Sequence, residues 1–408
     1  MNKFLDYLHL REVGLLEMLI AFFPILLGYT ISGLPLGIVL CTLLVLVLFL
    51  RKGSRKNWRR NPILWFLVFM VVHDIFLLSV INNAQGVFLN SLIGQCAYLV
   101  AAIVVGNDLN YNKLRGSVNW VSLLCMGGML YHFSLVLRGM SFQPIMLPFM
   151  PEQTETSRFL HEYYRPTSFF QEAQSYASYM LVTLFMALVE RKYIWSVLIA
   201  ITIFMSSSTT GLVTVFIIFA LVALSGSTSK NKRFITVLFM FVIGGGLLYF
   251  LLRSGLFEQG TTKMFDEAAN MDEEVRLVQG PLIVGSMSFT DWIFGVPYAN
   301  AYQYCMARGI AGSVIIYGEN SMFVPTFWLM LIRYGIVGLL LYLNIYWYYY
   351  RLDKTIRPYI ISLILLLFTN PDFVGGMFAY SMFVIISFCR FNLNESYTYR
   401  VRLGKSNA

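Results

Sequence analysis

Three groups of residues in this 408-residue chain have types and spacings suited to chemistry on an anion. The first is the run Tyr163-Tyr164-Arg165-Pro166-Thr167-Ser168-Phe169-Phe170-Gln171-Glu172. If a helix starts at Pro166, Arg165 and Glu172 share one face about 10 Å apart. The second is Asp272-Glu273-Glu274-Val275-Arg276, inside an acidic helical stretch expected over 264–282 and followed by Phe294-Gly295-Val296-Pro297. The third is Glu319-Asn320-Ser321, leading into Arg333-Tyr334-Gly335-Ile336-Val337-Gly338. Arginine can pair two phosphate oxygens and keeps its charge at any working pH. A carboxylate beside it can take a proton from a hydroxyl or orient it.

Each group also has a plainer reading. Arg165 can snorkel to lipid headgroups, Arg276 among carboxylates can be one solvated helix face, and Glu319 can be a partner of a helix N-terminus. Arg333 is harder to dismiss, because an arginine deep in an apolar run needs a partner or water. A straight helix from Glu319 would place it about 21 Å further along, and Pro325 can shorten that run. The adjacent His73 and Asp74 permit a proton relay, although a pair satisfied by neighbouring helices is the favoured reading. His132 falls near the end of an apolar run, where an interfacial role is expected. With four histidines, no HExxH spacing and no CxxC pair, no metal or other cofactor is expected.

The elements that must hold these residues follow from composition. The chain is 58% hydrophobic and 12% charged, which excludes an ordinary soluble domain, and its apolar runs are continuous, which excludes an outer-membrane barrel. The expected class is all-α, a polytopic integral membrane protein of about twelve transmembrane helices (11 to 13). Spans are placed near 14–31, 33–50, 62–81, 87–106, 117–137, 172–189, 193–208, 209–225, 234–252, 320–349, 358–371 and 375–391. The stretch 193–225 reads either as two helices or as one long helix with Ser206 to Thr210 at its middle.

Charge sets the orientation. The net +9 is cationic bias rather than a nucleic-acid surface. Lys and Arg concentrate at the N-terminus, in Arg51 to Arg60, at Lys113 and Arg115, at Arg191 and Lys192, in Lys230 to Arg233, in Arg351 to Arg357 and after Cys389. These segments are expected inside, with both termini cytoplasmic. The loops 138–171 and 253–318 are then extracytoplasmic. The larger is net acidic, with only Arg253, Lys263, Arg276 and Arg308 as bases, and is expected to be partly helical. Residues 1–408 form a single membrane domain in this reading, with function where those loops meet the bilayer.

Taken together, the motifs resemble the O-antigen and capsular polysaccharide polymerase (Wzy) family and the O-antigen ligase superfamily. The family pattern has an Arg-x-x-Gly-x-Phe-x-Glu-Pro-like start of a span, a Ser-rich turn ending in Gly, and an Arg-led helix followed by a Gly-x-Gly-like turn. Asn-Ser and a Tyr-Gly-Ile-x-Gly helix come last. This chain supplies Arg165 to Ala177, Ser206 to Gly211, Arg276 with Phe294 to Pro297, and Glu319 to Tyr342, in that order. It has Ser168 where the family often has Gly, Ala173 where it has Pro, Pro297 for the second Gly, and Glu319 where ligases commonly carry His.

The resemblance implies a metal-independent glycosyltransferase of the bacterial cytoplasmic membrane. Such an enzyme moves a growing glycan from undecaprenyl diphosphate onto a lipid-linked repeat unit at the outer face. Arg276, Arg165, Glu319 and Glu172 are the implied catalytic residues, and Arg333, Asn320, Arg308 and Tyr164 the substrate-binding ones. Implied partners are the lipid-linked oligosaccharide, the bilayer, a chain-length regulator and a flippase. The alternatives are a ligase of the same superfamily and, from a different class, a lipid-linked oligosaccharide flippase or other transporter.

Overall fold

The computed structural model describes residues 2–31, 34–52, 61–81, 86–140, 143–150, 166–206, 208–226, 275–296, 301–309, 324–369 and 374–406. In chain order these form α1 (Asn2–Tyr7), α2 (Leu15–Leu26), β1 (Thr30–Ile31), β2 (Leu34–Pro35), α3 (Leu36–Lys52), α4 (Pro62–Ile81), α5 (Gly86–Asp108) and α6 (Tyr111–Leu137). Then follow α7 (Ala173–Val189), α8 (Tyr193–Met205), α9 (Thr209–Gly226), α10 (Val275–Gly285), α11 (Phe289–Phe294) and α12 (Ala301–Ala307). Last come α13 (Thr326–Leu352), α14 (Arg357–Leu366) and α15 (Gly376–Ser406).

Each span interval read from the sequence carries a helix, apart from 234–252, which lies outside the described residues. Four helices among the described residues are long and apolar enough to cross a membrane: Ser91–Asp108, Tyr111–Leu137, Thr326–Leu352 and Gly376–Leu393. The other apolar helices run 10–17 residues, about 15 to 26 Å, against a hydrocarbon core of about 30 Å. The protein is therefore helical, with the apolar helices of a membrane-embedded chain. Its only strands among the described residues are β1 and β2, an antiparallel pair with Thr30 opposite Pro35 and Ile31 opposite Leu34, which reverses the chain between α2 and α3. The described part of the 253–318 loop is helical at α10, α11 and α12.

The chain packs as two compact units. The first comprises residues 1–39, 109–266 and 357–362, and the second residues 40–108, 267–356 and 363–408. In the first unit α7 contacts α8 and α9, and α6 contacts α2, α7 and α8. α7 is apolar around its circumference and buried along nearly its whole length, as a central helix must be. The stretch 193–225 is two helices rather than one. Ser206 Oγ donates to Ile203 O at 2.7 Å as α8 ends, and Ser208 Oγ accepts Gly211 N–H at 3.2 Å as α9 begins. Ser208 satisfies an amide at the start of α9, while Ser206 adds a hydroxyl donor to an Ile203 carbonyl that also accepts the Ser206 amide. Gly211 lets α9 approach α7, because a Cβ there would press on Ala177 and Ile203.

The N-terminal segment is clasped to the same unit by charge. Arg115 of α6 donates from Nη1 to Glu190 Oε1 at 2.5 Å and from Nη2 to His9 Nδ1 at 3.0 Å. Lys192 Nζ lies 2.6 Å and His9 Nε2 3.4 Å from Glu190 Oε2, and Glu12 flanks Arg115 at 3.5 Å. Backbone seals the clasp: Asn119 Nδ2 donates to Leu8 O at 2.8 Å and Trp120 Nε1 to Leu10 O at 3.0 Å. Since Nδ1 of His9 accepts, its hydrogen sits on Nε2. Burial, then the positive charges of Arg115 and Lys192, holds His9 below the ordinary imidazole range. Burial alone would raise the Glu190 carboxyl, but the hydrogen bonds and charges of Lys192 and Arg115 outweigh it and hold it low.

Two outcomes are expected. Gly211→Leu should lower stability by about 1 to 3 kcal/mol through overpacking, whereas the same change at Gly127, which has open space around its Cβ position, should leave the thermal midpoint in detergent nearly unmoved. For pH, the unfolded chain protonates His9 near its ordinary value of about 6.5 and the folded chain resists, so stability should fall as pH drops through about 6.5. Glu190 contributes above the usual carboxyl range and is lost only at more acid pH. His9→Asn, which suits the left-handed φ of 56° at this position, should flatten the denaturation profile between about pH 8 and 5.5 relative to wild type.

Candidate functional site

The second unit builds its site around a break in α13. The helix starts at Thr326 after Pro325, whose φ and ψ of −55° and 150° are not helical. Arg333 therefore lies about 10 Å along it, not the 21 Å of an unbroken run from Glu319. Two residues on, Gly335 adopts φ 63° and ψ −170°, a conformation closed to residues with a Cβ. An unbroken helix would give the Ile332 carbonyl to residue 336. It accepts Val296 N–H instead, at 2.8 Å.

The chain that arrives there comes from the large loop. Gly295, with φ 89°, follows α11 and lies against the Arg333 carbonyl, while Gly335 lies against the Ile293 carbonyl and the Gly295 amide. A Cβ at Gly295 would collide with the backbone of Arg333 and Tyr334, and one at Gly335 with that of Ile293 and Gly295. α11 is fixed by a capping box in which Ser288 Oγ accepts Asp291 N–H at 3.2 Å and Asp291 Oδ2 accepts Ser288 N–H at 3.3 Å. The same Oδ2 accepts from Tyr304 OH at 3.2 Å and Arg308 Nη2 at 3.3 Å, tying α12 to α11. Burial and the neighbouring Asp291 raise the Tyr304 phenol above its ordinary range, so it remains a donor. Beneath these short helices Ile283, Val296, Tyr304, Cys305, Val324 and Ile332 form one apolar cluster.

Beside the break lies a buried carboxylate. Asp74 of α4 is fully buried, and its Oδ2 accepts from Arg333 Nη2 at 2.9 Å and from Tyr334 OH at 3.1 Å. Its Oδ1 lies 3.2 Å from His73 Nδ1, and His73 Nε2 lies 2.7 Å from the Phe294 carbonyl. α4, α11 and α13 thus meet at one carboxylate, one imidazole and one guanidinium. An ionised carboxylate so placed fixes the arginine's orientation and compensates its charge. The outer face of the His73 ring lines a shallow apolar groove of about 550 Å³ together with Trp65, Phe69, Val72, Phe76 and Leu341.

The residues expected to carry chemistry are distributed as follows. Arg165, Tyr164, Glu319 and Asn320 lie outside the described residues. Arg276 belongs to the first turn of α10, one turn before Gly280, where that helix packs on Trp328 of α13. Arg308 is half exposed and paired with Asp291, and Arg333 is paired with Asp74. In the first unit Glu172 is an exposed N-cap of α7 without a side-chain capping bond.

The early helix from Pro166 does not form. Residues 166–172 are irregular because Ser168 takes a left-handed φ of 56°, and the amides of Thr167 and Ser168 point at His132 Nδ1, 3.3 and 3.2 Å away. His132 is buried and holds this loop through those two amides. The pairing that sequence reasoning missed is Asp74 with Arg333, across 259 residues. Its signal was available, since two opposite charges in separate apolar runs each require a partner.

Because Asp74 is buried, Asp74→Ala should destabilise the protein by about 3 to 5 kcal/mol by stranding Arg333. The Asp74→Ala/Arg333→Ala double variant should lose less than the sum of the single losses, read from chemical denaturation in detergent as a double-mutant cycle. No family model matches the chain, and no curated protein or solved structure matches it.

Proposed function

We propose that the protein is a polysaccharide repeat-unit polymerase, acting on lipid-diphosphate-linked oligosaccharides at the outer face of a bacterial cytoplasmic membrane. In this reading the chain crosses the bilayer about twelve times with both termini inside. The observation that carries it is the seating of Phe294-Gly295-Val296 on Arg333-Tyr334-Gly335. These are two separated motifs of the resemblance, and their glycines occupy positions where only glycine fits. Gly211 adds to this, since the glycine that ends the Ser-rich turn stands at a close helix approach. The meeting of the N-terminal segment with Arg115 and Lys192 at one charge cluster supports a common side for these cationic segments.

The chemistry asks little of the protein. An acceptor sugar hydroxyl attacks the anomeric carbon of the donor glycan, the bond from that carbon to the diphosphate oxygen breaks, and the lipid diphosphate leaves. The hydroxyl proton passes to a carboxylate, for which Glu319 and Glu172 are the proposed residues. Guanidinium groups stabilise the charge that grows on the diphosphate. Arg276 and Arg165 are proposed for this on the resemblance, and Arg333, whose orientation Asp74 fixes, joins them. Arg308, Asn320 and Tyr164 are proposed to bind substrate.

A second reading, a lipid-linked oligosaccharide flippase or other transporter, draws support from the same cluster. Buried charges beside an interrupted helix are a recurrent transport device. One experiment separates the readings. Purified protein given lipid-linked repeat units, with no nucleotide sugar and no divalent metal, should lengthen them, and Arg276→Ala or Arg165→Ala should cut this by about a hundredfold or more. In cells those variants should leave single units unextended on the outer leaflet. Single units trapped on the inner leaflet would instead establish the transporter, and a requirement for nucleotide sugar would refute the polymerase. Transfer to a different, pre-formed acceptor without lengthening would assign the ligase.

A further inference from the structure

A loop helix bathed in water turns its apolar side chains inward and its charge outward. α11 does the reverse. Its one charged residue, Asp291, is buried and occupied with Ser288, Tyr304 and Arg308, whereas Phe289 is 82%, Phe294 57% and Trp292 41% exposed. Phe289 and Trp292, at i and i+3, share one face of the helix. Leu282 of α10 and Met306 of α12 are exposed as well. Apolar groups gathered on a surface in this way mark contact with a partner or a membrane.

The place where α11 is attached decides between these. Its C-terminal end meets α13 between Ile332 and Gly335, about 9 to 14 Å from the start of that membrane-length helix. The same end meets α4 at His73, about 12 Å from the nearer end of α4. The headgroup layer on each side of a bilayer is only about 5 to 8 Å thick. Helices that start at the membrane surface therefore carry both contacts below the headgroups.

The backbone is built for that depth. Hydrocarbon tolerates non-helical chain only where protein satisfies its polar groups. Gly295 N–H donates to the Asp291 carbonyl at 2.7 Å, Val296 N–H donates to Ile332 O at 2.8 Å, and the Phe294 carbonyl accepts from His73 Nε2 at 2.7 Å. His73 also lines the apolar groove along α4, so the exposed Phe294 follows directly on from that surface.

We propose that α11 is a membrane-inserted element, dipping into the leaflet at which α13 begins, with lipid acyl chains as the partner of Phe289, Trp292 and Phe294. Lipid rather than water is then the medium on that side of the break in α13. The proposal depends neither on the polymerase reading nor on which leaflet faces the cytoplasm.

The test is spin labelling of full-length protein in phosphatidylcholine–phosphatidylglycerol liposomes, with a nitroxide on Phe289→Cys or Trp292→Cys. Leu340→Cys, on the exposed side of α13, is the lipid reference, and Lys354→Cys, on the turn after α13, is the water reference. Background from the native cysteines, of which four are buried and Cys96 is partly so, is subtracted with the unsubstituted protein. Oxygen partitions into hydrocarbon and a charged nickel chelate stays in water. The ratio of oxygen to nickel access at 289 and 292 is expected to match that at Leu340 and exceed that at Lys354. A ratio equal to that at Lys354 would place α11 in water and overturn the proposal. Low access to both reagents would overturn it too, by showing these side chains covered by protein.

Wild-type protein provides a check without substitution. In liposomes whose acyl chains carry a photoactivatable diazirine, mass spectrometry should find adducts on Phe289, Trp292 or Phe294 as it does on α13. Labelling of α13 with none on α11 would dismiss the insertion.

Discussion

The part of the second unit where α11 meets α13 depends on one interruption of backbone. A helix is a closed set of hydrogen bonds, and an element that joins it from the side has nothing to bond until the set is opened. Gly335 opens it, Ile332 offers the freed carbonyl, and Val296 takes it. The contact admits no side chain at Gly295 or Gly335, so the two segments meet main chain to main chain. Such an approach fixes the loop more narrowly than side-chain packing would, because backbone groups lack rotamers. The placement of α11, the exposure of Arg308 and the surroundings of Arg333 all follow from it.

Two carboxylates complete what the break begins, in different settings. Asp291 gathers an amide, a phenol and a guanidinium at the edge of the loop helices, with Arg308 half exposed, so its ion pair is worth little by itself. Asp74 gathers a guanidinium, a phenol and an imidazole where no water reaches it. There each donor is required, because an unsatisfied lone pair on a buried carboxylate costs far more than a surface one. The first device holds the loop's shape and the second holds the relation between the loop and α13.

Much of this was legible in the sequence. Long apolar runs announced the helices, because burial of apolar length needs no knowledge of partners, but not their ends: α2 stops at Leu26, α14 stops at Leu366 and α15 runs on to Ser406. The boundary near Ser206 and Ser208 stood open in the sequence, because a serine run suits a helix end and a polar helix middle alike, and only the folded chain shows the hydroxyls at helix ends. Pro325 correctly signalled that Arg333 lies nearer its helix start than Glu319 implied. Less legible were features that depend on distant chain. The spacing of Arg165 and Glu172 suggested a shared helical face, but Ser168 and His132 bend that segment into a loop. His73 and Asp74 were readable as a satisfied pair, yet their partners Phe294 and Arg333 stand more than two hundred positions away. Periodicity carries no information at that range.

Ser168 shows how a residue with a side chain can hold a left-handed backbone. A left-handed turn is cheapest for glycine, but here the strain is offset locally: the hydroxyl donates to the Cys125 carbonyl at 2.8 Å, Gly128 leaves space for the side chain, and His132 gathers the turn's amides. The conformational demand has been moved from the loop onto the helix facing it. A substitution on the facing helix, at Gly128 or His132, therefore weighs on the path of this loop as directly as one within the loop itself.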